Sequence, residues 1–396
     1  MTNTPDAPFD EAARITWDAI VIGAGPAGTL AARQTARAGL RTLLIDAKVF
    51  PRDKVCGGYL NRRALEVLNH VGLAHLTSDR TEDQVNQLEI IYGARRTRFP
   101  LPPGRIICRS TFDAALLESA RLAGAEILLG AQAAVDPVHH DDFRRVTAVR
   151  AGLRHDLNSR FVICADGLAR TSVRQLPGFA SSTAANSRIG LGAVVTGDID
   201  ACPIGQITMV LSRRGYVGIS RIQNQQFNIA AAVDRTHLLH STPAEVISRM
   251  LGESGIHFPA ALMSANWRGT PPLTTRPLAV ASERVVLIGD VSGYVEPFTG
   301  EGMATALEAA VAVTPLAVQA VKSWSPAIAA NWKTLHWQMV RDRQRTCRQL
   351  AWILRRPWAS FAALSVCRLA PGIAGRVIAR TSAPMTYHAA AEMSTT

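Results

Sequence analysis

Three glycines at the end of a short apolar run constrain this chain more than any other feature. Asp18-Ala19-Ile20-Val21-Ile22 leads into Gly23-Ala24-Gly25-Pro26-Ala27-Gly28, with the spacing G-x-G-x-x-G. A helical pattern follows from Thr29 to about Ala38 and stops at Gly39. A second apolar run, Thr42-Leu43-Leu44-Ile45, then ends on Asp46. Strand, glycine turn, helix, strand and acid in that order make a dinucleotide-binding unit. Gly23 permits the tight turn, Gly25 lets a pyrophosphate reach the backbone, and Gly28 lets the helix pack closely on its strand. The phosphates belong at the helix N-terminus, where unpaired N–H groups and the dipole favour negative charge. Asp46, 18 positions after Gly28, suits a ribose hydroxyl.

The rest of the chain must house what such a cofactor works on. At 396 residues there is material for two or three domains, and 47% hydrophobic residues are enough for real cores. Lys and Arg number 43 against 31 Asp and Glu, a formal charge of +12. The basic residues are scattered except toward the C-terminus and form no nucleic-acid module, so nucleic acid is not an expected partner. The cysteines at 56, 108, 164, 202, 347 and 367 make no C-x-x-C pair, which excludes the usual zinc and disulfide patterns. Residues 1–14 read as a polar, flexible lead and not as a signal peptide, and the apolar stretches are expected to stop short of a membrane span. A reducing cytoplasm is the expected location, with contact at a membrane surface as an added role.

Four further stretches carry chemistry. Lys54-Val55-Cys56-Gly57-Gly58 sits in a turn-rich loop where two glycines let a backbone lie flat against a ligand. Arg109 falls at a strand-to-helix corner, a place to hold a phosphate, and Ser110-Thr111-Phe112-Asp113 after it has capping-box spacing. The buried run Phe161-Val162-Ile163-Cys164-Ala165 ends on Asp166-Gly167, a second approach to the cofactor. Finally, Arg284-Val285-Val286-Leu287-Ile288 reaches Gly289-Asp290, then Glu296-Pro297-Phe298-Thr299-Gly300-Glu301-Gly302 and a helix from Met303 to about Thr314. An acid ending a strand can accept from a sugar or ribityl hydroxyl, and glycines at a helix start free N–H groups toward an electron-rich ring edge. Residues 186–275 alternate and read as a β-rich substrate wall. From about Ala327 to Ser382 the chain is helical, with Trp332, Trp337, Trp352 and Trp358 among many arginines: a helical cap, or a basic amphipathic surface for a lipid leaflet.

These motifs, in this order, resemble the FAD-dependent oxidoreductases of the para-hydroxybenzoate hydroxylase fold. Pro51-Arg52-Asp53-Lys54-Val55-Cys56-Gly57-Gly58, together with the 296–302 stretch, is most similar to the geranylgeranyl reductase-related branch. The resemblance covers about 15–330. It implies an α/β fold: a Rossmann-like FAD-binding domain of the glutathione reductase type, an inserted β-rich substrate domain and a C-terminal helical region. The expected divisions are 15–75 with 105–185 and 276–326 for FAD, 76–104 with 186–275 for substrate, and 327–396 for the helices. It also implies FAD contacts at Gly23, Gly25, Pro26, Ala27, Gly28, Asp46, Ala47, Lys54, Cys56, Gly57, Gly58, Arg109, Asp166, Gly167, Gly289, Asp290, Pro297, Gly300, Glu301, Gly302 and Met303.

Two reactions fit that scaffold. The favoured expectation is a monooxygenase that hydroxylates a small hydrophobic aromatic substrate, a phenolic polyketide or alkyl-phenol, through a flavin hydroperoxide. The alternative is a reductase of isoprenoid double bonds with Cys56, a thiol beside Lys54, as proton donor. The aromatic substrate-sheet segment of polyprenyl reductases is reduced here to Tyr216-Val217-Gly218-Ile219-Ser220, which leaves Tyr216 as a second candidate catalytic residue. A non-catalytic flavoprotein on a membrane surface is the remote alternative. No second glycine fingerprint precedes a helix, so NAD(P)H is expected as a transient electron donor without a domain of its own.

Overall fold

The structure is a computed structural model; it describes residues 9–77, 83–197, 199, 201–222, 225–257, 260–296, 298 and 300–369. Five parallel strands form the centre of the first sheet, in the order Val285–Leu287, Leu153–Cys164, Thr16–Ile22, Thr42–Asp46, Glu126–Leu129. Their β-branched and leucine-rich runs are buried on both faces, as parallel strands require. Parallel neighbours need crossovers, and helices Pro26–Arg37, Arg109–Leu122 and Gly302–Lys322 cover one face, packing Leu30, Leu116, Leu307 and Val313 into a common core. The hairpin Gln132–His139 and Arg144–Arg150 covers the other, setting Val135 and Val146 against Trp17, Ile20 and Leu43.

This strand order fixes where a ligand can sit. From Thr16–Ile22 the chain steps outward through Thr42–Asp46 on one side and later returns through Leu153–Cys164 on the other. The connections therefore diverge at that strand, opening a crevice beyond the carboxyl ends. Gly23, Ala165-Asp166 and Gly289-Asp290 all follow strands that end at this edge.

The second sheet runs Arg268–Pro272, Ile189–Thr196, Gln226–Val233, Gly215–Arg221, Gln206–Ser212, Gln84–Tyr92, Arg95–Ile106, Tyr59–Leu60. Helix Pro243–Gly252, started by a Thr242–Glu245 capping box, packs Val246, Ile247 and Met250 on Val210, Val217 and Ile229. The opposite face presents Met209, Leu211 and Tyr216 toward the crevice side.

Two helices differ from expectation. Gly302–Lys322 continues past Thr314 with Pro315 inside it. Proline removes one helical hydrogen bond, but Val313, Leu316, Ala317 and Ala320 are all buried there and packing prevails. By length and composition this helix could cross a membrane, yet half of its apolar stretch is buried within the protein, and Glu308 on it is paired with Arg63. Among the described residues the C-terminal region forms two helices, Pro326–Leu354 and Pro357–Leu369, broken where Pro357 cannot continue the first. The expected continuation to Ser382 lies outside the described residues. The first of these helices is seated by Trp332, which is fully buried and donates its indole N–H to the Leu287 carbonyl at 3.2 Å.

Candidate functional site

The three glycines of the fingerprint meet different surroundings. Gly23 has φ +104°, and a Cβ there would stand 2.5 Å from the Ala165 carbonyl oxygen. A Cβ on Gly28 would stand 1.9 Å from the Gly23 carbonyl oxygen, so this residue closes the helix onto the turn. Gly25 is open: the nearest atoms to its missing Cβ are Lys54 Nζ at 3.9 Å and a terminal guanidinium nitrogen of Arg52 at 4.0 Å. Helix Pro26–Arg37 begins there with proline in its first turn and no side-chain cap on its N–H groups. An uncapped helix N-terminus, an open glycine and two cations together fit a diphosphate. Asp46 closes the turn from the second strand, accepting from the backbone N–H of Ala24 at 2.6 Å and of Lys48 at 2.7 Å.

Between the two sheets lies a cleft of about 780 Å³. Gly25, Pro26, Ala27, Lys54, Cys56, Gly57, Arg109, Asp166, Gly167, Gly289, Asp290, Gly300, Gly302, Met303 and Tyr216 line it, so fifteen of the residues selected from the sequence share one wall system. Gly23, Gly28, Asp46 and Gly58 stand behind that wall, and Ala47 lies exposed beside Asp46, off the cleft. Pro297 lies outside the described residues.

The acids divide in role. The Asp166 carboxylate is occupied by its own turn, accepting from the Ser172 N–H (2.8 Å), the Ser172 hydroxyl (2.7 Å) and the Thr171 hydroxyl (3.0 Å). Asp290 instead faces Lys54 across 3.9 Å and remains partly exposed. Of the two, Asp290 is placed to accept from a ligand hydroxyl. The Glu301 side chain turns away from the cleft to lie 3.8 Å from Arg63, whose guanidinium also grips Glu308 at 3.0 and 2.5 Å. That buried cluster sets the start of the helix, so any cofactor contact at 301 is left to its backbone.

Arg109 also differs from expectation. It opens its helix with Cys108 as N-cap, and Asp113 does not complete a capping box; it binds the guanidinium through two bonds of 2.9 and 2.7 Å. Burial pulls the Arg109 pKa down, but Asp113 and the nearby Cys56 sulfur outweigh it and the net shift is upward. Asp113 takes the Nε and one Nη2 proton of Arg109, and the guanidinium still lines the cleft.

The Cys56 turn is pinned from both sides. Gly58 has φ +67°, a Cβ there would meet the Ile107 oxygen at 2.6 Å, and its N–H points at Cys56 Sγ, 3.4 Å away. From the second sheet, Asn228 donates to the Cys56 carbonyl at 2.7 Å and Ser220 donates to the Gly57 carbonyl at 3.1 Å. Sequence reasoning passed over both. The available signal was alternation, since each is a polar residue on the strand face opposite the core residues Phe227 and Ile219.

Aromatic residues complete the chamber. Tyr59 packs its ring on Gly300, where a Cβ would be 2.8 Å away, and burial pushes its phenol up to about 12. Tyr294 reaches Gly302, with its hydroxyl 3.8 Å from where a Cβ would stand, and Tyr216 meets Phe298 edge-on at 5.3 Å. Burial raises both phenols well above the ordinary range, with Asp290 adding to the effect at Tyr294 and Glu296 at Tyr216. All three stay protonated at neutral pH. Leu88, Ile207, Met209 and Leu273 supply an apolar far wall, and among the described residues no histidine lines the cleft and no carboxylate comes from the second sheet.

The sequence matches the family described as FAD binding domain over residues 16–318. It is 30% identical over 315 residues to the menaquinone reductase of Mycobacterium tuberculosis, covering 74% of each chain. It is 25% identical over 324 residues to the digeranylgeranylglycerophospholipid reductase of Methanosarcina acetivorans, covering 78% of this chain and 76% of that one. Among solved structures, the flavin-dependent brominase Bmp2 superposes with a TM-score of 0.76 at 18% identity, covering 93% of this chain and 94% of the other, a likeness of fold alone.

Proposed function

The chain belongs to the FAD binding domain family of oxidoreductases, and on that premise we propose that it is an FAD-dependent reductase that saturates a carbon–carbon double bond in a long, hydrophobic isoprenoid substrate. The observation that carries this is the placement of Cys56. Among the described residues it is the one cysteine on the cleft wall, held where the cofactor floor meets the apolar chamber. The reductase names of the relatives at 30% and 25% identity support a reductase, and the second, a digeranylgeranylglycerophospholipid reductase, supports an isoprenoid substrate.

Gly25, the N-terminus of helix Pro26–Arg37, Lys54 and Asp290 would hold the diphosphate and sugar-alcohol part of FAD, with Gly300, Gly302 and Met303 toward its ring. Bound and reduced, FAD supplies the hydride that saturation of an alkene requires. The other carbon needs a proton. Cys56 gives it from its S–H, and the thiolate left behind is stabilised by the Gly58 N–H and the Arg109 guanidinium until solvent returns the proton. Asn228 and Ser220 keep the thiol aimed by fixing the carbonyls of Cys56 and Gly57, the two that follow it in the chain. The far wall orients the chain of the substrate through apolar contact and excludes water. NAD(P)H, docking transiently, is the proposed source of electrons.

Cys56→Ser tests the reading. In anaerobic turnover with NAD(P)H and a menaquinone or a geranylgeranyl lipid, the product should gain two hydrogens on its isoprenoid chain, with any quinol reoxidised before it is weighed. The variant should keep its FAD and lose about a hundredfold in rate, the usual scale of a general acid. An unchanged rate removes Cys56 from the mechanism. A product carrying one added oxygen, formed only with a phenolic substrate and dioxygen, would establish the hydroxylase instead.

A further inference from the structure

Helix Pro326–Leu354 has two unlike faces. Ile328, Trp332, His336 and Met339 are buried against the rest of the protein. Its outer stripe reads Trp337, Arg341, Arg345, Arg348, Trp352, then Arg356 just past its end. Successive steps of three or four residues place these on one face. Trp337 and Trp352 are about half exposed, at 53% and 48%. Arg341 lies over the Trp337 ring at 4.4 Å, and Arg356 over the Trp352 ring at 4.1 Å. The stripe continues onto helix Pro357–Leu369, where Trp358 is 67% exposed and meets Trp352 edge-on at 6.1 Å, with Phe361 and Val366 exposed beyond it. From Lys333 to Leu369 the sequence holds one lysine, seven arginines and a single acid, Asp342.

A face built only to meet water would mix charges of both signs and hide its indoles. This one shows large aromatic rings under guanidinium groups, with almost no negative charge. Indoles settle at the headgroup level of a bilayer, while arginines reach lipid phosphates with their stems lying on apolar surface. A second copy of the chain is a poor occupant, because the same face would set arginines against arginines. The inner side of the same helices closes the argument. Leu364 is buried in one apolar cluster with Met209, Tyr216 and Leu273 of the cleft wall, and Leu354, Cys367 and Phe298 pack against that cluster. The thickness of one helix separates the outer face from the chamber.

We infer that the outer face of the two C-terminal helices docks on an anionic phospholipid bilayer and holds the apolar side of the cleft against it. Docking stands on this face alone. That the docked enzyme draws its substrate from the bilayer rests on the isoprenoid reading above.

The test uses the full-length, FAD-loaded protein and sedimentation with vesicles of phosphatidylcholine, with and without phosphatidylglycerol. The wild type should partition onto the anionic vesicles. Arg345→Glu with Arg348→Glu, and separately Trp352→Ser with Trp358→Ser, should each weaken that partition by at least about tenfold, since one basic residue near such a surface contributes on the order of 1 kcal/mol. Both variants should keep their FAD content, circular dichroism and turnover of a short, water-soluble substrate, which separates loss of docking from failure of the proposed reaction. Equal binding by wild type and variants, or no binding by the wild type, overturns the inference. So does a dimer in size-exclusion chromatography that the tryptophan variant splits while neither protein binds vesicles.

Discussion

Alanine at Gly28 and alanine at Gly25 should fail for different reasons, and the difference measures what the fingerprint does. At Gly28 the added methyl would stand 1.9 Å from the Gly23 carbonyl oxygen, against a floor near 3.0 Å for real contacts. The helix must retreat by about an ångström, because the obstacle is backbone and cannot rotate aside. That movement loosens Ala24, Ala27, Leu30 and Ala31, all buried beneath it. Overpacking costs about 1–3 kcal/mol even where side chains can yield. Here the top of that range applies, offset by about 1 kcal/mol of helix propensity, for a net loss of about 2 kcal/mol or more. At Gly25 the nearest atom is 3.9 Å away and φ is −74°, which alanine adopts freely. The cost there is the weaker N-cap, under about 1 kcal/mol. Its methyl, however, projects between Lys54 and Arg52 into the space proposed for the diphosphate. Urea unfolding of the apoprotein should therefore find Gly28→Ala destabilised and Gly25→Ala near wild type. Titration followed by flavin fluorescence should find Gly25→Ala weakened at least about tenfold for FAD, the scale of 1.4 kcal/mol. A stable Gly28→Ala would refute the packing argument, and a Gly25→Ala protein with wild-type affinity would refute the assignment of the diphosphate.

Two further outcomes follow from buried charge. Arg63→Met should cost about 3–5 kcal/mol in urea unfolding by leaving Glu308 buried without its guanidinium; adding Glu308→Leu should recover much of it, and a single variant as stable as wild type would mean the pair is not buried as described. His336 is held 2.9 Å from the Ser292 hydroxyl, and burial lowers its pKa from 6.5 to about 4. The native state keeps it neutral while the unfolded chain takes up a proton, so stability should be lost as pH falls from about 6.5 to about 4, by about 3 kcal/mol in all, with no effect above that window. The difference in unfolding free energy between wild type and His336→Phe should change across that window, and parallel profiles would show the ring to be solvated.

What the sequence disclosed depended on how local each constraint is. The glycine turn was legible because its backbone conformation and its close contacts leave no other residue type. The meeting of Gly23, Asp166 and Asp290 at one edge was legible because parallel strands place their following loops on the same side. Arg109 and Asp113 misled because a carboxylate near a helix start can serve either the backbone or an arginine four residues before it, and burial of both decided for the arginine. Arg63 and Glu308 are 245 positions apart, and nothing local in either helix signals the other. Tyr59 and Tyr294 belong to the cleft through the glycines they cover, and neither lies on a periodic face that would have marked it.

The C-terminal helices belong to the site rather than beside it. Arg355, where helix Pro326–Leu354 ends, reaches Glu296 at 3.3 Å and Asp234 at 3.5 Å. Buried Arg188, at the foot of strand Ile189–Thr196, reaches the same two acids at 2.9 and 3.2 Å. Glu296 leads into the segment that ends at Gly300 and Gly302, and Asp234 closes strand Gln226–Val233, the strand that bears Asn228. Two arginines and two carboxylates thus join the outer helix, the loop toward the proposed flavin ring and the sheet that aims Cys56. A partly buried ion network adds little net stability, but with Arg188 and Glu296 buried at its centre it has few satisfactory arrangements, because moving one member strands the others. The orientation of the basic, tryptophan-bearing face is therefore set by the same contacts that set the chamber, and the bilayer docking proposed for that face would come with a fixed direction for the cleft behind it.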